Sequence, residues 1–446
     1  MIKLKQVAKR NGAIVDFNPG RISNVIYRAA VAVGGRDKQK AEELAEEVIK
    51  YLENTFSEGY TLHVEEIQDA IEKILIEQGH AKVAKEFILY REERKIKRDE
   101  EEKHSFKPTG NIPWSKIYHA LRWSVDHNLH SIDALNARIN NGEFKQIVKE
   151  SEAAYNNDIE FAANLVIERA DQLKMVMISG PSSSGKTTTT YKLEEFLQQS
   201  GKKFKALIVD NYFFDLEMHP KDEFGDYDFE TPQALDLAMI NEHLVQLVEG
   251  KEIMIPFYDF KTGTRHLNQT PFRLEDDEIL LIDSLHGLYP KMTEDIHNDI
   301  KFKLYLEPLL QMKGPDNEYI RWTDIRLIRR MLRDSVHRAY KPQQTLEHWH
   351  YVRRSELRNI FPYINTTDYR INSSMPYELS LYAAKLAGDF AAWEEEYKGD
   401  PLREDAYIRA SRMNKVLKAV VPVEDDSPVP KNSVLREFIG GSIYEH

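Results

Sequence analysis

The order of apolar and polar residues changes character part-way along this 446-residue chain. Up to about Lys103 a helical period dominates. In "ISNVIYRAAVAVG" apolar residues recur at three- and four-residue spacing, and in "VEEIQDAIEKILIEQG" Ile67, Ile71, Ile74 and Leu75 fall on one face. Gly79 is placed to end that helix. The helix expected over "AKVAKEFILYREERKIKRDEEEK" closes in a run of mixed charge, the mark of a solvated helix end. From 104 to 171, helical stretches such as "IEFAANLVIERADQL" carry no chemistry motif and are expected to form a helical connector. From about Leu173 short apolar runs alternate with helical ones. "MVMIS", "FKALIVD", "EILLID" and "FKLYL" predict strands, and "TTTTYKLEEFLQQSG" a helix. That alternation predicts an α/β fold, a parallel sheet with flanking crossover helices. Three blocks follow: 1–103, mainly helical; 104–171, the connector; and 172–446, the α/β domain with a turn-rich C-terminal extension around "VEDDSPVPKNS".

Composition narrows the classes. Hydrophobic residues are 41% and aromatics 10%, enough to fill cores. A net charge of −12 argues against nucleic-acid binding by phosphate neutralisation, while leaving room for small anionic ligands. The absence of cysteine removes disulfides, thiolate-held zinc and thiol nucleophiles, and fits a reducing compartment. "MIKLKQVAKRNG" lacks the apolar stretch of a signal peptide, and no apolar run is long enough to span a bilayer. A soluble cytoplasmic protein is expected.

The candidate chemistry begins at Gly180. Gly180-Pro-Ser-Ser-Ser-Gly185-Lys186-Thr187 fits G-x-x-x-x-G-K-[ST], with a strand before it and a helix after. The glycines let backbone N–H groups turn inward around an anion, and the helix adds its positive end. Gly180, Ser182, Ser183, Ser184, Gly185, Lys186, Thr187 and Thr188 are thus expected to cradle ATP. Lys186 reaches the β- and γ-phosphates, and the Thr187 hydroxyl ligates Mg²⁺. Asp210 ends "KALIVD" and Asp283 ends "EILLID". Ligands in open parallel sheets lie beyond the carboxyl ends of strands, so both carboxylates should face the cradle. One could hold Mg²⁺ and the other accept a proton from an attacking hydroxyl. "TDIRLIRRMLRDSVHRAYKP" sets Arg326, Arg329, Arg330 and Arg333 at helical spacing, with Arg338 beyond, a cluster suited to phosphoryl charge. His348 and His350 lack further ligands, and no zinc site is expected.

From about Leu173 to Ser442 the chain resembles the uridine kinase/phosphoribulokinase group of P-loop kinases, most of all the long bacterial uridine kinase-like forms. The matching pieces are "GPSSSGKTT", "VDNYFFD", "IPFYDFKTGTR", "ILLIDSLHGLYP", "DIRLIRRMLRD" and "PKNSVLREFIGGS". The resemblance implies ATP- and Mg²⁺-dependent phosphorylation of a nucleoside 5′-hydroxyl. Asp210 would be the base, and would join Thr187 and Asp283 near the metal. Asp283 stands where the family usually has Glu, which makes its carboxylate shorter. Tyr212, Tyr258, Arg265 and Arg326 would lie on the substrate side, and Asp228 or Glu230 near the ribose hydroxyls. Arg329, Arg330, Arg333 and Arg338 would belong to a helix and lid closing over ATP, with Arg330 and Arg333 serving the transfer. Gly263 stands near the place where eukaryotic uridine-cytidine kinases use a base-reading histidine. "VAKRNGAIVDFNPGRI" and the helices after it resemble an ATP-cone, a small regulatory nucleotide-binding module. Lys9, Arg10, Gly12 and Arg21 would grip an effector, ATP or dATP. Coupling of that kind is expected to run through subunit contacts, hence a homo-oligomer. Two other readings stay open from sequence: a kinase for another small alcohol, and a nucleotide-sensing regulator of low turnover.

Overall fold

In the computed structural model the chain forms two compact units, 1–109 with 399–404, and 110–398 with 405–446. The structure describes all residues except 1–3, 9–13, 57–59, 92–111, 200, 202, 220–228, 338–340, 402 and 445–446.

The first unit is mainly helical. β1 (Gln6–Ala8) pairs antiparallel with β2 (Ile14–Asp16) and parallel with β3 (Leu62–His63). Around this small sheet pack α1 (Gly20–Ala32), α2 (Lys38–Thr55), α3 (Val64–Glu77) and α4 (81–91). Ile26, Val48, Leu52, Ile71, Leu75 and Phe87 fill the core. α3 starts in a capping box: His63 Nδ1 accepts from Glu65 N, and Glu66 reaches back to His63 N at 2.7 Å. Gly79 follows α3 with φ of 78°, as its C-terminal position requires.

The second unit is built on five parallel strands in the order β10-β9-β4-β8-β5. They are β4 (Met175–Ser179), β5 (Lys203–Ile208), β8 (Glu278–Asp283), β9 (Lys301–Glu307) and β10 (Tyr369–Asn372). β4 is buried at every residue, which is why it appears in sequence as an unbroken apolar run. Its alternation still sorts side chains to two cores. Val176 and Ile178 join one with Ile279 and Leu281, whereas Met175 and Met177 join the other with Leu280 and Ile282. β6 (Ile253–Asp259) and β7 (Thr264–Phe272) form an antiparallel hairpin on the second core's side. β5 stops at Ile208; Val209–Tyr212 is a 3₁₀ turn, so Asp210 lies in a turn rather than ending the strand.

The helices α5 (Trp114–Asp126), α6 (Ile132–Asn140) and α7 (Phe144–Glu168) contribute to the first of these cores. Ile147, Tyr155, Ile159, Ala163 and Val166 pack with β4 and β9, and Tyr155 Oη lies 2.6 Å from Thr189 Oγ1, one turn beyond the glycine loop. Asp158 ties α7 to β10: it accepts from Tyr369 Oη at 2.6 Å, from Asn372 N at 2.8 Å and from Lys116. Asp158→Ala should leave these donors unmet and cost about 2–4 kcal/mol, seen as a lower melting temperature, with Asp158→Asn falling between. An unchanged melting temperature would show that the tie carries no stability.

Candidate active site

The glycine loop runs from the carboxyl end of β4 into α8 (Lys186–Gln199). Its shape is set from behind by α10 (Trp322–His337). Arg326 Nη1 donates to Ser182 O at 3.0 Å, and Arg329 Nη1 to Ser184 O at 3.4 Å, which also accepts from Ser373 Oγ at 2.5 Å. With those carbonyls turned back, the N–H groups of Ser183 and Gly185, in the same peptide planes, face the other way, into the bowl, whereas Ser184 N donates to Pro181 O at 3.2 Å. Ser183 at φ 59° and Gly185 at φ 96° make the reversal. A Cβ on Gly180 would stand 2.4 Å from Leu306 O, and one on Gly185 2.3 Å from Val434 Cγ2, so both positions require glycine. Ser183 Oγ and Ser184 Oγ are buried with no partner among the described residues. Unmet hydroxyls beside inward N–H groups fit a phosphate chain.

The arginines divide. Arg326 and Arg329 are 0% exposed. Arg326 is doubly bonded to Glu356 at 2.5 and 2.8 Å, and Arg329 to Glu378 at 2.7 and 3.0 Å. Neither stands on a lid or on the substrate side, which corrects the expectation for both; they brace the loop. Arg330 and Arg333 lie further out. Arg330 Nη1 donates to Ser182 Oγ at 3.1 Å and to Glu230 Oε1 at 2.6 Å, and Arg333 holds Asp334. Burial pushes the Glu230 carboxyl up, but Arg330, with the charges of Arg333 and Lys186, outweighs it and holds the pKa below the usual range. Lys186, Arg330, Arg333 and Glu230 are therefore neighbours.

On the other side of Lys186 stand acids. Asp283 is half-buried; burial, with the charges of Asp210 and Glu437 against relief from Lys186, pushes it up to about 6. Glu437, from the C-terminal helix α14 (Arg436–Ile439), accepts from Thr188 Oγ1 at 3.1 Å and Thr188 N at 3.4 Å. Sequence reasoning missed Glu437, since nothing in "VLREFIGGS" signals contact with Thr188, 249 residues earlier. A carboxyl kept from ionising by burial and by neighbouring acids fits a divalent cation, and Thr187 and Asp283 would hold Mg²⁺ with Asp210 nearby. Among the described residues no group of three His, Asp or Glu side chains is placed to hold a metal.

Beyond Asp210 lies an aromatic pocket. Tyr258 is 2% exposed, and its hydroxyl has no partner among the described residues. Phe213, Phe260 and His219 surround its ring at 5.6, 4.9 and 6.2 Å. Arg265, opposite Tyr258 in the hairpin, donates to Asp236 at 2.8 Å and lies over Phe214. Tyr212 is a correction: it is fully buried and its hydroxyl bonds His243 Nδ1 at 2.9 Å, so it supports the pocket from the core. At Gly263 a Cβ would come 2.8 Å from Leu216 Cβ, so no side chain fits there. Asp228, Arg338, Lys9, Arg10 and Gly12 lie outside the described residues, and Arg21 is exposed at the start of α1.

Two family models match this chain. Residues 175–379 match the Phosphoribulokinase / Uridine kinase family, and residues 5–96 the ATP cone domain. The chain joins an ATP cone domain to a uridine kinase-type P-loop kinase domain. Uridine kinase of Borreliella burgdorferi is 27% identical over 48% of this chain and 96% of its own. Uridine-cytidine kinase B of Dictyostelium discoideum is 26% identical over 37% of this chain and 60% of its own. A solved structure from Silicibacter sp. TM1040, provisionally assigned as a fructose transport system kinase, covers 48% of this chain and 98% of its own at 15% identity; its TM-score of 0.32 is too low to bear on function.

The raised Asp283 pKa has a signed consequence. The native carboxyl holds its proton more tightly than the unfolded one, between the usual 3.8 and about 6. Its contribution to stability therefore falls as pH rises through that window and stays low above it. Without metal, Asp283→Asn should be more stable than wild type at pH 8, by roughly 1–3 kcal/mol, with the gain shrinking toward pH 4. Calorimetric unfolding at both pH values checks this, and a variant that melts lower at pH 8 would contradict it.

Proposed function

We propose that the chain is a nucleoside kinase that transfers the terminal phosphoryl group of ATP to the 5′-hydroxyl of a uridine- or cytidine-like nucleoside. The observation that carries this reading is that the charge of Lys186 acts both on Glu230, which pairs with Arg330, and on Asp283, which also feels Asp210. An aromatic pocket around Tyr258 lies past Asp210, and the relatives named above are uridine kinases.

In this reading the loop's N–H groups and the Ser183 and Ser184 hydroxyls hold the phosphates, while Lys186 bridges the β and γ groups. The acceptor base lies among Phe213, Tyr258 and Phe260, with the Tyr258 hydroxyl free to bond it. This sets the 5′-oxygen beside the exposed Asp210 carboxylate. The oxygen attacks the γ-phosphorus, the bond to the β-bridging oxygen breaks, ADP leaves, and Asp210 takes the hydroxyl proton. Arg330 and Arg333 offset charge on the transferred group. Mg²⁺, held by Thr187 and Asp283 with Asp210 nearby, would supply charge neutralisation for the transfer. ATP or dATP held by the N-terminal unit, at Lys9, Arg10, Gly12 and Arg21, tunes the rate. If such coupling exists, its effects on binding are reciprocal.

Gly263 favours a second reading, a different small alcohol as acceptor, because no side chain at that position can reach a base. One assay separates the two. Purified protein with Mg-ATP and a panel of nucleosides and other small alcohols, with and without dATP, should yield a nucleoside 5′-monophosphate. Asp210→Asn should cut kcat by about 10²–10⁴-fold with ATP affinity nearly unchanged. No monophosphate from any nucleoside would sink the first reading, and product from another alcohol would establish the second.

A further inference from the structure

His286 lies three residues beyond Asp283, at the carboxyl end of β8, and the mechanism above does not use it. It is 3% exposed, and neither ring nitrogen has a hydrogen-bond partner among the described residues. Each unmet buried polar group costs about 1–3 kcal/mol, so the arrangement calls for a cause. Loose backbone is not that cause. His286 N donates to Ser284 Oγ at 3.2 Å, Tyr289 N donates to His286 O at 2.8 Å, and Ser179 Oγ donates to Leu285 O at 3.2 Å. A Cβ on Gly287 would stand 3.2 Å from Ser179 Cβ. The 284–288 loop thus crosses the end of β4 at the residue just before Gly180, which sets His286 beside the phosphate cradle. Burial, with the charge of Lys186 added, pushes the ring's pKa down to about 3, so the imidazole is neutral at working pH.

We propose that His286 is a catalytic residue of the phosphoryl-transfer site, donating a hydrogen bond to a non-bridging oxygen of the nucleotide's terminal phosphoryl group. The proposal rests on the kinase reading. Lys186 and Arg330 already bring two positive charges to that place. An uncharged donor adds a hydrogen bond without a third. The triphosphate then supplies the partner that the protein withholds, in a site from which water is excluded. An unsatisfied imidazole retained in a tight loop is the kind of local cost that a functional site carries.

The test uses the full chain as wild type, His286→Leu and His286→Gln. Each is titrated calorimetrically with Mg-ADP and with the non-hydrolysable analogue Mg-AMP-PNP, and melted without nucleotide. His286→Leu should bind the triphosphate analogue about tenfold more weakly, the worth of one such hydrogen bond. It should bind ADP about as wild type does, and melt no lower, because an apolar side chain replaces an unmet polar one. His286→Gln, which can still donate, should recover most of the lost affinity. Wild-type affinity of His286→Leu for both nucleotides would overturn the proposal. Loss for both, together with a lower melting temperature, would also overturn it, as the mark of a structural role. No acceptor is needed. A wild type that binds nucleotide yet phosphorylates no nucleoside would sink the substrate assignment, while the binding ratio still decides the role of His286.

Discussion

Two buried guanidiniums shape the phosphate cradle. A charge taken wholly out of water must be paired and hydrogen-bonded to persist. Glu356 and Glu378 pair with Arg326 and Arg329, and Nη1 of each arginine also donates to the carbonyl of Ser182 or Ser184. Fixing these two carbonyls fixes their peptide planes, and with them the direction of the Ser183 and Gly185 N–H groups. The energetic demand of the buried arginines and the geometry of the anion site are therefore one constraint.

Distant parts of the kinase unit converge on that loop. β10 delivers Ser373 to the Ser184 carbonyl, and the C-terminal segment lays Val434 over Gly185 and Glu437 against Thr188. α7 sends Tyr155 to Thr189. The loop is held by side chains from several elements, and Lys186 stands among both arginines and acids.

Much of this was legible beforehand, because each sheet strand buried on both faces leaves an apolar run and the glycine loop needs its residues in order. The end of β5 was not. Val209 is apolar like Leu207 and Ile208 before it, so hydropathy cannot mark where the chain turns into the 3₁₀ segment bearing Asp210. Helical spacing put Arg326 and Arg330 on one face, yet one is fully buried and the other is not. Arg326 is held by Glu356, 30 residues further on, and Arg330 by Glu230, 100 residues earlier. Periodicity carries no record of such partners. The helices from 114 to 168 looked like a connector because they carry no chemistry, while their apolar faces pack into the same core as β4.

The bracing of the loop can be tested where it acts. Arg329→Lys keeps a positive charge next to Glu378 but cannot reach Ser184 O, Ser373 O and Glu378 together. Amide hydrogen exchange over residues 180–188, combined with Mg-ADP affinity, reads the consequence. The account predicts faster exchange in the loop and affinity lower by about tenfold or more, although Arg329 is buried behind the loop. Wild-type exchange and wild-type affinity in Arg329→Lys would contradict it.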